Sequence, residues 1–162
     1  RTITVGGYSK TFSITGWRIG YSVASARWAQ AIGAMNDLLY VCAPTPLQAG
    51  VAVGIQELPG SFYHELARDY QRKRDRFCQA LANAGLPPSI PQGAYYVLAD
   101  ASRLPGVMGK ERAMFLLETI GLAGVPGEAF FAGTDGSRFI RFSYAKIDSD
   151  IDDACRRLAR LG

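Results

Sequence analysis

Ser9-Lys10-Thr11-Phe12-Ser13-Ile14-Thr15-Gly16-Trp17-Arg18-Ile19-Gly20 is the stretch that organises this 162-residue chain. It lies between two runs of strand-like composition, residues 2–5 (TITV) and 18–24 (RIGYSVA), and is set off by the break Gly6-Gly7. A lysine in such a loop becomes nucleophilic when its pocket is partly desolvated, because burial disfavours the charged form. It can then condense with a carbonyl compound. Eight positions after Lys10 stands Arg18, bracketed by Gly16 and Gly20. Its planar fork suits a phosphate, and the glycines allow close approach of a ligand to the backbone. Amine, guanidinium and nearby hydroxyls together are what a phosphate-bearing aldehyde needs.

The surrounding pattern alternates strands and helices. Residues 27–41 carry apolar positions at helical spacing, Trp28, Ile32, Met35, Leu38 and Leu39. Pro44 and Pro46 precede a helix predicted over 47–57, whose small residues Ala49, Gly50, Ala52 and Gly54 predict tight burial against a neighbour. After Pro59-Gly60, Ser61 is placed to cap a long helix over 61–84, stopped by Gly85 and Pro87. Beyond residue 86 the elements shorten: a strand over 95–99, a helix over 109–121 with Met114, Leu117 and Ile120 inward, and a short strand and turn over 123–127. A strand over 138–145 follows, with Phe139, Arg141 and Ser143 on one face and Ile140, Phe142 and Tyr144 on the other. Ser149 is placed to cap a last helix over 150–161, acidic at its start and basic near its end as the helix dipole prefers. This predicts an α/β chain in three parts: 1–57 from a larger domain with a mostly parallel sheet, a connecting helix over 58–85, and a small α+β domain over 86–162. The chain opens directly in a strand, and a parallel strand needs neighbours, so it reads as beginning inside a domain.

Composition narrows the function classes. With 48% hydrophobic and 20% charged residues the chain has the make-up of a globular domain with a core. No apolar run spans a bilayer and no apolar leader opens the chain, so neither membrane insertion nor export is expected. Cys42, Cys78 and Cys155 are odd in number and lack CxxC spacing, which argues against a disulfide framework or a zinc site and for a reducing, cytoplasmic setting. The net charge of +4 suits anionic ligands. The charged run 68–76 (RDYQRKRDR) interleaves acids with bases and has few aromatics, so it reads as a solvated helix face rather than a nucleic-acid or phosphate patch. His64, the only histidine, reads as a helix-surface or capping residue.

The stretch SKTFSITGWRIGY resembles the cofactor-lysine motif of the class I/II aminotransferases, the aspartate-aminotransferase-like fold type I group. That pattern runs Ser-Lys-x-Phe/Tyr, a short spacer, then Gly-x-Arg-x-Gly, and it is matched here by Ser9, Lys10, Phe12, Gly16, Arg18 and Gly20. The resemblance continues along the chain. Residues 91–96 (PQGAYY) resemble the family's Pro-x-Gly-aromatic segment, Val125-Pro126-Gly127-Glu128-Ala129-Phe130 its Val-x-Pro-Gly-x-x-Phe turn, and Arg141-Phe142-Ser143-Tyr144-Ala145 its Arg-x-Ser-Phe/Tyr-Ala strand.

The resemblance implies transamination between an L-amino acid and a 2-oxo acid with pyridoxal 5'-phosphate. Lys10 then forms the Schiff base and shuttles the proton, Arg18 grips the cofactor phosphate, and Ser9 either helps the phosphate or caps the turn. Arg141 clamps the substrate carboxylate, in preference to nearby Arg138. Tyr95 and Tyr96 are core or pocket wall. It also implies a homodimer for the full-length protein. Three positions before the lysine, where many members carry a hydroxyl residue, this chain has Gly7. Members place a phosphate loop, a ring-stacking aromatic and a pyridine-nitrogen Asp upstream of the lysine. Only nine residues precede Lys10 here, so the 162-residue chain is not expected to be competent alone. Two other readings stay open: a fold type I lyase, decarboxylase or synthase sharing the lysine, and a non-catalytic fragment with a vestigial motif. No feature demands a dicarboxylic donor, the sequence does not fix the amino donor, and a broad aromatic or neutral specificity is compatible with it.

Overall fold

The computed structural model describes residues 2–133 and 135–161; Arg1, Thr134 and Gly162 lie outside the described residues. The chain divides into two compact units, Arg1–Leu66 and Ala67–Gly162.

In the first unit, β1 (Thr4–Gly7) and β2 (Gly20–Val23) form a two-stranded antiparallel ladder with Gly7 opposite Gly20. A parallel partner for the opening strand was expected. The two strands are instead the arms of one hairpin, and a direct hairpin connection imposes antiparallel pairing. The second strand begins at Gly20 rather than Arg18, because Arg18 adopts a left-handed conformation (φ 57, ψ 37) that no strand accepts. Helices α1 (Ala26–Tyr40) and α2 (Thr45–Glu57) follow, α2 opening with proline in its first turn. The expected apolar face of α1 is largely exposed: Trp28, Met35, Leu38 and Leu39 are open and Ile32 is half-buried. On α2, Ala49 and Ala52 are exposed, and it is Gly50 and Gly54 that receive neighbours.

Helix α3 (Gly60–Asn83) carries the division between the units within its length. It starts one residue before Ser61, which is therefore inside the helix rather than capping it, and His64 is exposed. The second unit is built on a four-stranded antiparallel sheet in the order β3 (Pro88–Ser89), β4 (Tyr96–Asp100), β6 (Phe139–Ser143), β5 (Val125–Pro126). One face of β4 and β6 (Val97, Ala99, Ile140, Phe142) is buried against Phe77 and Leu81 of α3, Leu116 and Ile120 of α4 (Gly109–Ile120), and Ile151 and Leu158 of α5 (Asp148–Leu158). The period-2 alternation on β6 holds, and buried Tyr144 extends it. The stripe on α4 does not match the expected one. Met114 and Leu117 are exposed, while Ala113, Leu116 and Ile120 are buried. Small Ala113 lets the helix approach the sheet on a face rotated from the one its bulkier residues marked. Helix α5 starts at Asp148 after Ile147, with no side-chain cap, so Ser149 is not the cap; Asp148 and Asp150 at its start and Arg156 and Arg157 at its end do complement the dipole.

Among the described residues no helix is long and apolar enough to cross a membrane. Cys42 is exposed, Cys78 buried and Cys155 half-buried, all three free thiols. Burial pushes the Cys78 and Cys155 thiols up, with nearby Arg74 and Arg76 respectively acting the other way.

Candidate active site

The loop between β1 and β2 is closed at its base, where the Tyr8 amide donates to the Ile19 carbonyl at 3.1 Å. Lys10 and Arg18, eight positions apart in sequence, therefore leave the same closed neck on opposite arms. Inside the loop Phe12 N donates to Tyr8 O (3.2 Å), Ser13 N to Lys10 O (3.3 Å) and Trp17 N to Ile14 O (2.9 Å), winding the chain into successive turns. Ser13 (φ 56) and Arg18 (φ 57) are both left-handed, a conformation that persists in non-glycine residues only where the surroundings impose it. Those surroundings are aromatic. Phe12 stacks on Tyr8 (5.7 Å) and meets Phe62 (6.3 Å) and Tyr63 (6.4 Å). A Cβ added at Gly50 would stand 3.0 Å from the Trp17 ring, and one at Gly54 3.7 Å from the Phe12 ring. The two glycines of α2 thus form the bed on which the loop rests.

On this support Lys10 and Arg18 are exposed and Ser9 is half-buried. The chain's described residues do not bury Lys10 as the chemistry of a desolvated amine had led us to expect. Arg18 Nη1 donates to the Thr15 carbonyl at 2.8 Å, which orients the guanidinium from within the loop. Residues 8–19 contain an amine, a guanidinium and several hydroxyls but no carboxylate. This donor set fits a phosphate-bearing aldehyde: the amine answers the carbonyl, and guanidinium and hydroxyl answer the phosphate.

The second unit holds Arg141 on β6, opposite Leu98 of β4 and Val125 of β5. Its half-buried guanidinium lies 4.0 Å from the Tyr96 ring and 4.1 Å from the Phe130 ring. Among the described residues Arg141 makes no hydrogen bond or ion pair. Neighbouring Arg138 instead faces Asp100 at 3.7 Å and packs on Phe139 at 4.6 Å. The segment before β4 is fixed to the residue just past β6: the buried Tyr144 hydroxyl donates to Ala94 O (3.0 Å) and Tyr144 N to Tyr95 O (3.1 Å). Burial raises the Tyr144 phenol above its ordinary range. Tyr96 and Phe130 fall within the family-like motifs, but nothing in those motifs pairs them with Arg141. The period-2 face of β4 was the available signal for Tyr96, since Tyr96 and Leu98 share a face and Leu98 is opposite Arg141.

The lysine-bearing loop carries Arg18 on its other arm, and Arg141 on β6 keeps its fork free of hydrogen bonds and ion pairs among the described residues. The family model for aminotransferase class I and II matches residues 1–158, and the chain belongs to that family. Its members are pyridoxal-phosphate-dependent. The chain is 34% identical to the kynurenine–oxoglutarate transaminase of Dictyostelium discoideum, over 99% of this chain and 42% of that protein. It is 30% identical to aromatic-amino-acid aminotransferase 2 of Thermococcus litoralis, over 99% of this chain and 41% of that one. Among solved structures, YbdL of Escherichia coli, identified with a methionine aminotransferase function, superposes with a TM-score of 0.90 at 31% identity, covering 99% of this chain and 42% of that one. The chain thus spans about two fifths of the length of these relatives and corresponds to their C-terminal part.

Proposed function

We propose that this chain serves pyridoxal-phosphate-dependent transamination between an L-amino acid and a 2-oxo acid, with Lys10 as the cofactor lysine. The observation that carries the reading is the closed loop over residues 8–19, which starts Lys10 and Arg18 from one neck. Lys10 Nζ would hold the cofactor's aldehyde carbon, and Arg18, with Ser9, its phosphate. When bound, pyridoxal phosphate supplies the electron sink that makes a substrate Cα–H acidic. As a free amine, Lys10 takes the proton at Cα and returns it. Arg141 binds the carboxylate common to amino acid and oxo acid through its two-pronged fork, which orients Cα–H. Aromatic donors are the first to assay, because Tyr96 and Phe130 lie against Arg141. Family membership and the named activities of the relatives support the transamination reading, and we propose a cytoplasmic homodimer alongside it.

The test is amino-group transfer to a 2-oxo acid by the full-length protein that contains this chain, compared as wild type, Lys10→Ala and Arg141→Lys. Lys10→Ala is expected to lower kcat by about 10²–10⁴-fold, the usual yield of a positioned acid–base group. Undiminished transfer in Lys10→Ala overturns the assignment. Repeated turnover, beyond one product per cofactor, without any oxo acid acceptor would move the protein to a lyase or decarboxylase reading.

A further inference from the structure

Arg141 projects from the half-exposed face of the sheet, on which β4 contributes Tyr96, Leu98 and Asp100. The acid on that face is engaged elsewhere. Asp100 accepts from the Ser102 amide (2.9 Å) and hydroxyl (2.5 Å) and faces Arg138 at 3.7 Å. What meets the Arg141 guanidinium is aromatic, with Tyr96 and Phe130 both within 4.1 Å. Rings at that range attract the cation and cover its π-surface. They take up no N–H donor, so the hydrogen-bonding edge of the fork is left for a ligand.

Phe130 is held in place although it keeps 45% of its surface. It ends a 3-10 turn, Gly127–Ala129, and donates its amide to Gly127 O at 2.8 Å. Glu128 in that turn accepts from Gly109 N, the first residue of α4, at 2.5 Å. A Cβ at Gly109 would stand 2.5 Å from Glu128 Oε2, so a larger residue there would make the Glu128 side chain shift. One helical turn on, Arg112 donates to Ser137 O at 2.6 Å, two residues before β6 begins. The first turn of α4 therefore anchors both the turn that carries Phe130 and the approach to the strand that carries Arg141.

We infer that Tyr96 and Phe130 are positioning residues that hold the Arg141 guanidinium flat and present its edge to a substrate carboxylate. The inference rests on Arg141 being the carboxylate residue. A guanidinium fixed in plane loses less freedom on binding a planar carboxylate, so the clamp acts on substrate affinity and not on the proton transfer at Cα.

The experiment compares KM for a 2-oxo acid, and kcat, in the holoenzyme and in Phe130→Leu, Tyr96→Leu, Phe130→Tyr, Tyr96→Phe and Arg141→Lys. Each leucine variant is expected to raise KM about five- to tenfold with kcat within about twofold, and each conservative aromatic exchange to restore it, because a ring face suffices for the contact. A general structural role for the rings would lower active-enzyme content and kcat and leave KM alone. If both leucine variants keep wild-type KM while Arg141→Lys raises it, the clamp is wrong and the carboxylate assignment stands. If Arg141→Lys leaves KM unchanged, the assignment itself falls, and the clamp with it.

Discussion

Arg18 is held at φ 57 and Ser13 at φ 56, and each such non-glycine residue costs about 1–3 kcal/mol. Placing two of them in the short span that bears Lys10 implies that the loop's shape matters more than its local stability. Gly7, the last residue of β1, stands just before this loop and brings no side-chain donor. A Cβ there would meet only Ile19 O, at 3.7 Å, an ordinary contact, so a serine fits without displacing backbone. Gly7→Ser is predicted to tighten pyridoxal phosphate binding by about tenfold or more, since one hydrogen bond to a charged group is worth about 1.5–3 kcal/mol. Cofactor titration followed by absorbance reads this directly, and an unchanged or weaker affinity would place the phosphate away from β1. Lys10, Arg18 and Arg141 could be nominated from the sequence because reactive and anion-binding side chains stand out within a spaced motif. The contacts of Tyr96 and Phe130 with Arg141 were not, because they come from strand register and from a turn anchored on a helix far along the chain.

Elements were legible where periodicity or punctuation was strong. The long helix α3, the alternation on β6 and the Gly85-Pro87 stop all follow from local chemistry. Faces were harder. On α4 the bulky Met114 and Leu117 masked the buried Ala113-Leu116-Ile120 stripe, since size and burial part company where a small residue sets the packing distance. The same helix carries a pH-sensitive device. Glu111 Oε2 accepts from the Val107 amide (2.6 Å) and the Met108 amide (3.3 Å), and these bonds hold its carboxyl below the usual range. At the end of β4, burial alone would raise Asp100, but the Ser102 hydrogen bonds and Arg138 outweigh it and the net shift is downward. On α5 the hydrogen bond from Arg157 lowers Asp153. A carboxyl with a lower pKa folded than unfolded adds stability above its unfolded value, about 4, and loses it as pH falls through the folded value. Thermal melts of the second unit are therefore predicted to be level from neutrality down to about pH 5 and to fall below about pH 4. Glu111→Gln is predicted to lower the melt at neutral pH and to make it less acid-dependent. An equal acid response in that variant would remove Glu111 from the account.

At the scale of the whole molecule the two units differ in kind. Residues of the second enclose a continuous core, whereas among the described residues of the first only Ile19 and Val51 are buried hydrophobics, and Leu38 and Leu39 keep 79% and 80% of their surface. Periodicity announced an apolar face on α1, but it cannot say what covers such a face, and that is why the expected burial there failed. Both units carry their share of the proposed chemistry, the cofactor lysine and Arg18 in one and the carboxylate arginine in the other. Everything in the functional reading descends from the claim that Lys10 condenses with the cofactor. The direct measurement is to mix the protein with pyridoxal phosphate, reduce with borohydride, and map the modified peptide by mass spectrometry beside Lys10→Ala. Selective reductive labelling at Lys10, lost in the variant, is the predicted result. Label spread over other lysines and unchanged in Lys10→Ala would contradict it.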